Sequence, residues 1–171
     1  GTARILWRRD DNYYKQAPWR GTWDLDGGTL MNQCIHNIDL MQWMIGSEVE
    51  RVYAECDTYR NNIEGEDFGA ILVRFKNGAI GIIEGSAVVY PKNLEETLSI
   101  FGTQGTVVIG GLAVNELETW RFEGEDEEAV KAGLQVEIDS VYGEGHTPLI
   151  RDVIYAINED RKPYVSGEDA I

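Results

Sequence analysis

The sequence predicts an α+β domain: an open, largely antiparallel β-sheet with helices packed on one face. Two observations carry this. The elements run strand, helix, a run of five or six strands, then helices, an order that segregates the helices from the sheet. The stretch GGTLMNQCIHNIDLMQWMIG, residues 27–46, repeats its apolar residues at helical spacing, whereas the stretches after it are short and rich in β-branched and aromatic residues.

Each element follows from local signals. Ala3–Arg9 reads as the first strand, and RDDNYYKQAPWRGTWDLDGG after it as a loop dense in aromatics and turn residues. A single helix is expected over Gly28–Ile45, with Gly46 as its C′ residue. Val49–Asp57 is a strand, and TYRNNIEGED a polar loop. Phe68–Phe75 and Ala79–Val88 are strands joined by Asn77-Gly78, a strong short hairpin signal. YPKNLEE is a loop, Thr97–Phe101 and Thr106–Ile109 are short strands around GTQG, and Glu116–Phe122 is the last strand. EDEEAVKAGLQVEI reads as an acidic helix. HTPLIRDVIYAINEDRK reads as another, with Leu149, Val153, Ile154 and Ile157 at helical spacing. Ser166 with Asp169 three later is a variant of the capping box that opens a helix. With no initial Met and a helix signal at its very end, the chain is expected to be one domain, 1–171, cut from a longer protein.

Composition narrows the function. There are 15 Lys+Arg against 30 Asp+Glu, a net charge of −15, with no basic run. That argues against a nucleic-acid partner and against an anionic membrane surface. No apolar run reaches the roughly 18–20 residues of a membrane span. Cys34 and Cys56 have no metal or redox spacing, and the expected setting is reduced and cytoplasmic. The two histidines, His36 and His146, do not cluster with other ligands, so no metal is expected. No G-x-G-x-x-G or G-x-S-x-G occurs. Phe68–Phe75 and Ala79–Val88 are apolar on both faces. Something must cover the second face, and self-association through it is expected.

On one continuous helix, Asn32, His36, Asp39 and Trp43 project within about 60° of one another, opposite Leu30, Cys34, Ile38, Met41 and Ile45. Spacing alone leaves two readings open. His36 is a core histidine held by Asn32 and Asp39, or it is a proton acceptor, since imidazole titrates near neutrality. The preceding loop also has two readings. Trp7, Trp19 and Trp23 are expected as core anchors. Tyr13, Tyr14, Lys15 and Arg20 suit either a surface loop or contacts to a sugar, phosphate or carboxylate.

WRGTWDLDGGTLMNQCIHNIDLMQWMIG, then FKNGAIGIIEGS and LSIFGTQGTVVI, together resemble the C-terminal domain of the Gfo/Idh/MocA oxidoreductases. LMNQCIHNIDL with YPKNLEETL is most similar to the branch acting on nucleotide sugars, the UDP-N-acetylglucosamine-type 3-dehydrogenases. The resemblance implies a dihydrodipicolinate-reductase-like C-terminal domain in a two-domain NAD(P)-dependent sugar dehydrogenase. An N-terminal Rossmann domain, absent from these residues, would hold NAD or NADP and supply a lysine; these residues alone would bind no dinucleotide and be inactive. It implies His36 and Asn32 as catalytic residues and Asp39 behind them. The candidate substrate contacts are Tyr13, Tyr14, Lys15, Trp19, Arg20, Gln33, Lys92 and His146. Many relatives carry Asp where this chain has Asn32, which weakens the case for a carboxylate–histidine pair. The alternative is a non-catalytic sugar-binding or oligomerisation module of the same fold.

Overall fold

Strand pairing begins in the middle of the sheet. The first strand, β1 (Thr2–Leu6), lies parallel to β4 (Ile80–Ser86) on one side and antiparallel to β5 (Glu95–Phe101) on the other. With β2 (Val49–Asp57), β3 (Phe68–Phe75), β6 (Gly105–Gly110) and β7 (Glu116–Phe122) they form one sheet, ordered β2-β3-β4-β1-β5-β6-β7. Every pair but β1–β4 is antiparallel. This computed structural model describes residues 1–111, 114–134 and 145–168 and divides the chain into two units, Gly1–Gln135 and Val136–Ile171.

The expected strands are present, with ends moved by up to three residues. Asn77-Gly78 closes the β3–β4 hairpin: Gly78 has φ +91°, and the Phe75 amide donates to the Ala79 carbonyl at 3.0 Å. The expected helix over Gly28–Ile45 is a correction. It is two helices, α2 (Gly28–Asn32) and α3 (Ile35–Ile45), after a short α1 (Asp11–Lys15) in the stretch expected as loop. Gly46 ends α3 in the left-handed conformation, as expected. Further along come α4 (Glu127–Leu134) and, in the second unit, α5 (His146–Glu159). The expected continuation of the acidic helix beyond Leu134, and the completion of the Ser166–Asp169 helix start, lie outside the described residues.

Glycines on the sheet let α2 and α3 sit close. Gly69 and Gly85 face each other across β3 and β4. A Cβ on Gly69 would stand 2.8 Å from Leu30, one on Gly85 2.6 Å from the Cys34 sulfur, and one on Gly81 2.7 Å from the Met41 sulfur. Cys34 and Met41 are thereby buried in one core with Ala3, Ile5, Val73, Phe75, Ile83 and Leu98. Burial pushes the Cys34 thiol up to about 12, so it packs as an inert small apolar group. Because Cys34 points down at the sheet, His36, two residues or roughly 200° further round, points away from it. Gly85→Val should therefore cost about 1–3 kcal/mol through overpacking, more than the strand propensity valine returns. A urea midpoint that does not fall would show that the helix has room to lift.

On the opposite face Tyr53, Leu72 and Ile82 lie in one cross-strand row and are exposed, with Ile80 exposed nearby. Arg4 ends the apolar zone by pairing with Glu84 at 3.0 Å and Glu95 at 2.8 Å. Among the described residues, no helix is long and apolar enough to cross a membrane.

Candidate functional site

The site is built where β1 runs out into α1 and the loop before α2. Asp10 caps α1, its carboxylate accepting from the Tyr13 amide at 3.0 Å. This presents Tyr13, which meets Tyr14 edge to face at 5.1 Å. Burial pushes the Tyr14 hydroxyl up to about 12. Two guanidinium groups lie over these rings. Arg20 is 4.0 Å from the Tyr13 centroid and 5.0 Å from that of Trp19. Arg9 is 4.6 Å from Trp7 and 5.0 Å from Tyr13. The Nε atoms of both arginines are buried without a protein partner. Among the described residues, Arg8, Arg9, Lys15, Arg20 and Lys92 form no ion pair with a carboxylate, in a chain with twice as many acids as bases.

A second set of bonds fixes the start of the helical layer. The Asp26 carboxylate accepts from the Gly21 amide and from the Asn32 side-chain amide. The Asn32 Oδ1 accepts from Gln33 Nε2 at 2.7 Å, which also donates to the Tyr13 hydroxyl at 3.2 Å. Asp26, Asn32, Gln33, Tyr13 and Arg20 thus form one continuous polar row. At the opening of α2, Gly28 has φ +81°, and a Cβ there would stand 2.0 Å from Glu66. Glu66 closes the end: its carboxylate accepts from the Leu30 amide at 2.8 Å and its carbonyl from the Thr29 amide at 2.9 Å. A dinucleotide diphosphate does not fit this Gly-Gly helix start, because the Glu66 carboxylate and carbonyl already take the Leu30 and Thr29 amides.

The break between α2 and α3 changes the expected stripe. The Cys34 amide reaches back five residues to the Thr29 carbonyl at 3.1 Å, so the turn is wider than an α-turn. Gln33 is drawn sideways to Tyr13 while Cys34 is pressed toward Gly85. Asn32 consequently faces Asp26 and Gln33 and makes no hydrogen bond to His36. His36, Asp39 and Trp43 remain on one exposed face of α3. The reading of His36 as a buried, satisfied core histidine fails on that exposure. The residue buried there is its neighbour Asn37, whose amide nitrogen and oxygen both lack protein partners.

The structure brings Tyr13, Tyr14, Trp19, Arg20, Asn32 and Gln33 together. Lys15 and Lys92 are exposed, and His146 belongs to the second unit. Of the expected core anchors, Trp7 packs against the core, but Trp19 and Trp23 are exposed. Their neighbours Arg20 and Asp24 leave no apolar run to draw them inside. Arg9, Asp26 and Glu66 were missed. The only signal was for Asp26, an acid just before Gly-Gly; Glu66 meets α2 from 36 residues away.

A mixed, mostly antiparallel open sheet with glycines where two helices pack on it is an α+β arrangement. The chain belongs to the GFO/IDH/MocA C-terminal domain family, whose model matches residues 1–108. It is similar to the WlbA dehydrogenase of Bordetella pertussis, solved with NADH and UDP-GlcNAcA, at 36% identity and a TM-score of 0.82 over 98% of this chain and 46% of that one. WlbA of Chromobacterium violaceum, in complex with the same two ligands, gives 37% identity and a TM-score of 0.85 over 98% of this chain and 47% of that one. Myo-inositol 2-dehydrogenase of Thermotoga maritima is 25% identical over 150 residues, 85% of this chain and 43% of its own length. The chain thus spans less than half the length of these relatives.

Proposed function

We propose that this chain is the substrate-binding and catalytic half of an NAD(P)-dependent dehydrogenase that oxidises a hydroxyl of a nucleotide sugar. The observation that carries the reading is His36, exposed on the helix that follows a row of fixed polar groups and unpaired cations. His36 accepts the proton of the reacting hydroxyl, as a general base. Asn32, oriented by Asp26 and Gln33, positions the sugar, and Asp39 stands behind His36 on the same face of α3. Arg20, with Tyr13, Tyr14, Trp19, Lys15 and Lys92, receives the anionic part of the substrate. The identity to the two WlbA enzymes, solved with UDP-GlcNAcA, supports a nucleotide sugar over a free cyclitol. The dinucleotide is held by a separate Rossmann domain, since Glu66 closes the start of α2.

The substrate class is tested by kinetics on the protein that joins this chain to its dinucleotide domain. UDP-sugars should be oxidised and myo-inositol should not. Arg20→Ala should raise KM for the UDP-sugar about 10- to 100-fold, the cost of one or two charge-assisted bonds, with little change in kcat. An equal effect on an uncharged sugar would make Arg20 a support of the loop instead.

The row Tyr53–Leu72–Ile82, with Ile80 beside it, is the surface on which copies of the chain associate, most simply about a two-fold axis that sets the patch against itself. The net charge of −15 opposes association, so added salt should tighten the dimer. Sedimentation that gives a monomer at both low and moderate salt would overturn this assignment.

A further inference from the structure

Arg9 and Arg20 come from different turns of the chain yet meet on one side chain. The Arg20 guanidinium stands 4.0 Å from the Tyr13 ring centroid and that of Arg9 5.0 Å, so the two cations are no more than about 9 Å apart. Each also lies over a tryptophan, Arg20 over Trp19 and Arg9 over Trp7. Aromatic faces hold a cation in place without neutralising it. Both Nε atoms are buried, which fixes the stems. The two Nη atoms of Arg20 and the Nη2 of Arg9 are open to solvent and have no hydrogen-bond partner among the described residues. The nearby acids are engaged elsewhere. Asp10 accepts from the Tyr13 amide, and Asp26 from the Gly21 amide and the Asn32 side chain. Glu96 is buried, and burial pushes its carboxyl up to about 7, so below neutrality it leaves Arg9 uncompensated. Two like charges this close, unpaired in a chain of net charge −15, repel one another, and an anion that meets both relieves the repulsion.

We propose that Arg9 and Arg20, set against Tyr13, are the two arms of a diphosphate clamp, and that Arg9 is the arm by which the site selects a diphosphate-linked sugar over a sugar monophosphate. The choice of ligand rests on the nucleotide-sugar reading; the pairing of the cations does not. A guanidinium offers a planar fork of donors that bonds two phosphate oxygens at once, which a lysine does not. One phosphate group satisfies one fork. Two linked phosphates satisfy both and screen the arginines from each other. Position agrees with this chemistry. Gln33 Nε2 donates to the Tyr13 hydroxyl and to the Asn32 oxygen, so the clamp stands one side chain away from the residue that positions the sugar. A diphosphate joined directly to a sugar ring is thereby held at Tyr13 with the ring toward Asn32 and His36.

The test is a calorimetric titration of the protein that joins this chain to its dinucleotide domain, saturated with NADH, with UDP and separately with UMP. UDP should bind about tenfold or more tightly than UMP. Arg9→Gln should weaken UDP about tenfold or more and UMP by less than about threefold, so the preference collapses. A residue that only braced the loop would weaken both alike. Arg9→Lys keeps the charge without the fork and should restore only part of the preference. Should Arg9→Gln not fold, Arg9→Lys decides in its place. Equal binding of UDP and UMP by the native protein, or an unchanged UDP-to-UMP ratio in the folded variant, overturns the clamp. Oxidation of UDP-sugars by Arg9→Gln at an unchanged KM overturns the clamp and leaves the substrate reading standing. UDP binding that depends on Arg9, without oxidation of any UDP-sugar, overturns that reading and leaves the clamp.

Discussion

His36→Ala lowers kcat for UDP-sugar oxidation by about 10²–10⁴-fold while KM changes little, in the protein that joins this chain to its dinucleotide domain. That size follows from the role. A proton acceptor acts on the transition state, so its loss falls on kcat rather than on substrate affinity. The side chain is exposed at the first turn of α3 and makes no hydrogen bond to Asn32 or Asp39, so its removal strips no packing from the core. Asn32→Ala should behave differently, because Asn32 links Asp26 to Gln33. It should lower kcat and raise KM together as the loop loses its clamp. A His36→Ala enzyme with near-normal kcat and an unchanged pH profile would leave the chain as a binding or assembly module.

Folding stability should fall as pH rises through the range set by Glu96. Its carboxyl titrates at about 7 in the folded chain against an ordinary value of 4.5, chiefly because burial disfavours the charge, with Arg9 opposing. The folded state therefore binds this proton more tightly than the unfolded chain does. The resulting stabilisation is fully present below about pH 4.5 and is lost as pH rises through about 7. Taken at face value the shift is worth about 3 kcal/mol at most. Half-buried carboxylates held low by their bonds, such as Glu127 and Asp152, give the opposite slope at lower pH. The difference between native chain and Glu96→Leu isolates the one group. The variant should gain on the native chain from pH 5 to pH 8 in urea unfolding, and two parallel curves would show that Glu96 ionises freely.

Much of this fold was legible in the sequence because its signals are local. Gly78 closes the three-residue Lys76–Gly78 hairpin loop by its left-handed backbone, and Gly46 ends a helix by the same kind of freedom. The two-fold period of Phe68–Phe75 put Val73 and Phe75 on one side and Leu72 on the other, both sides apolar; the structure buries the first and leaves Leu72 exposed. The 34–45 periodicity placed Cys34 and Met41 on the sheet, and the spacing of His36, Asp39 and Trp43 put them on one face of α3. The family was legible too, because its motif is a run of neighbours along one stretch of chain.

Tertiary structure alone decided the rest. The expected Gly28–Ile45 helix breaks because Gln33 is pulled to Tyr13 and Cys34 is pressed toward Gly85, contacts across 20 and 51 positions that no local period encodes. Asn32 turns from His36 to Asp26 for the same reason. Glu66 reaches the start of α2 from another loop, and Glu96 is buried because β5 pairs beside β1 with its even positions inward. Spacing along the chain specifies which residues share a helix or strand face. Which carboxylate meets which amide, and which is left buried without a partner, depends on where distant segments dock, and only the assembled sheet sets that.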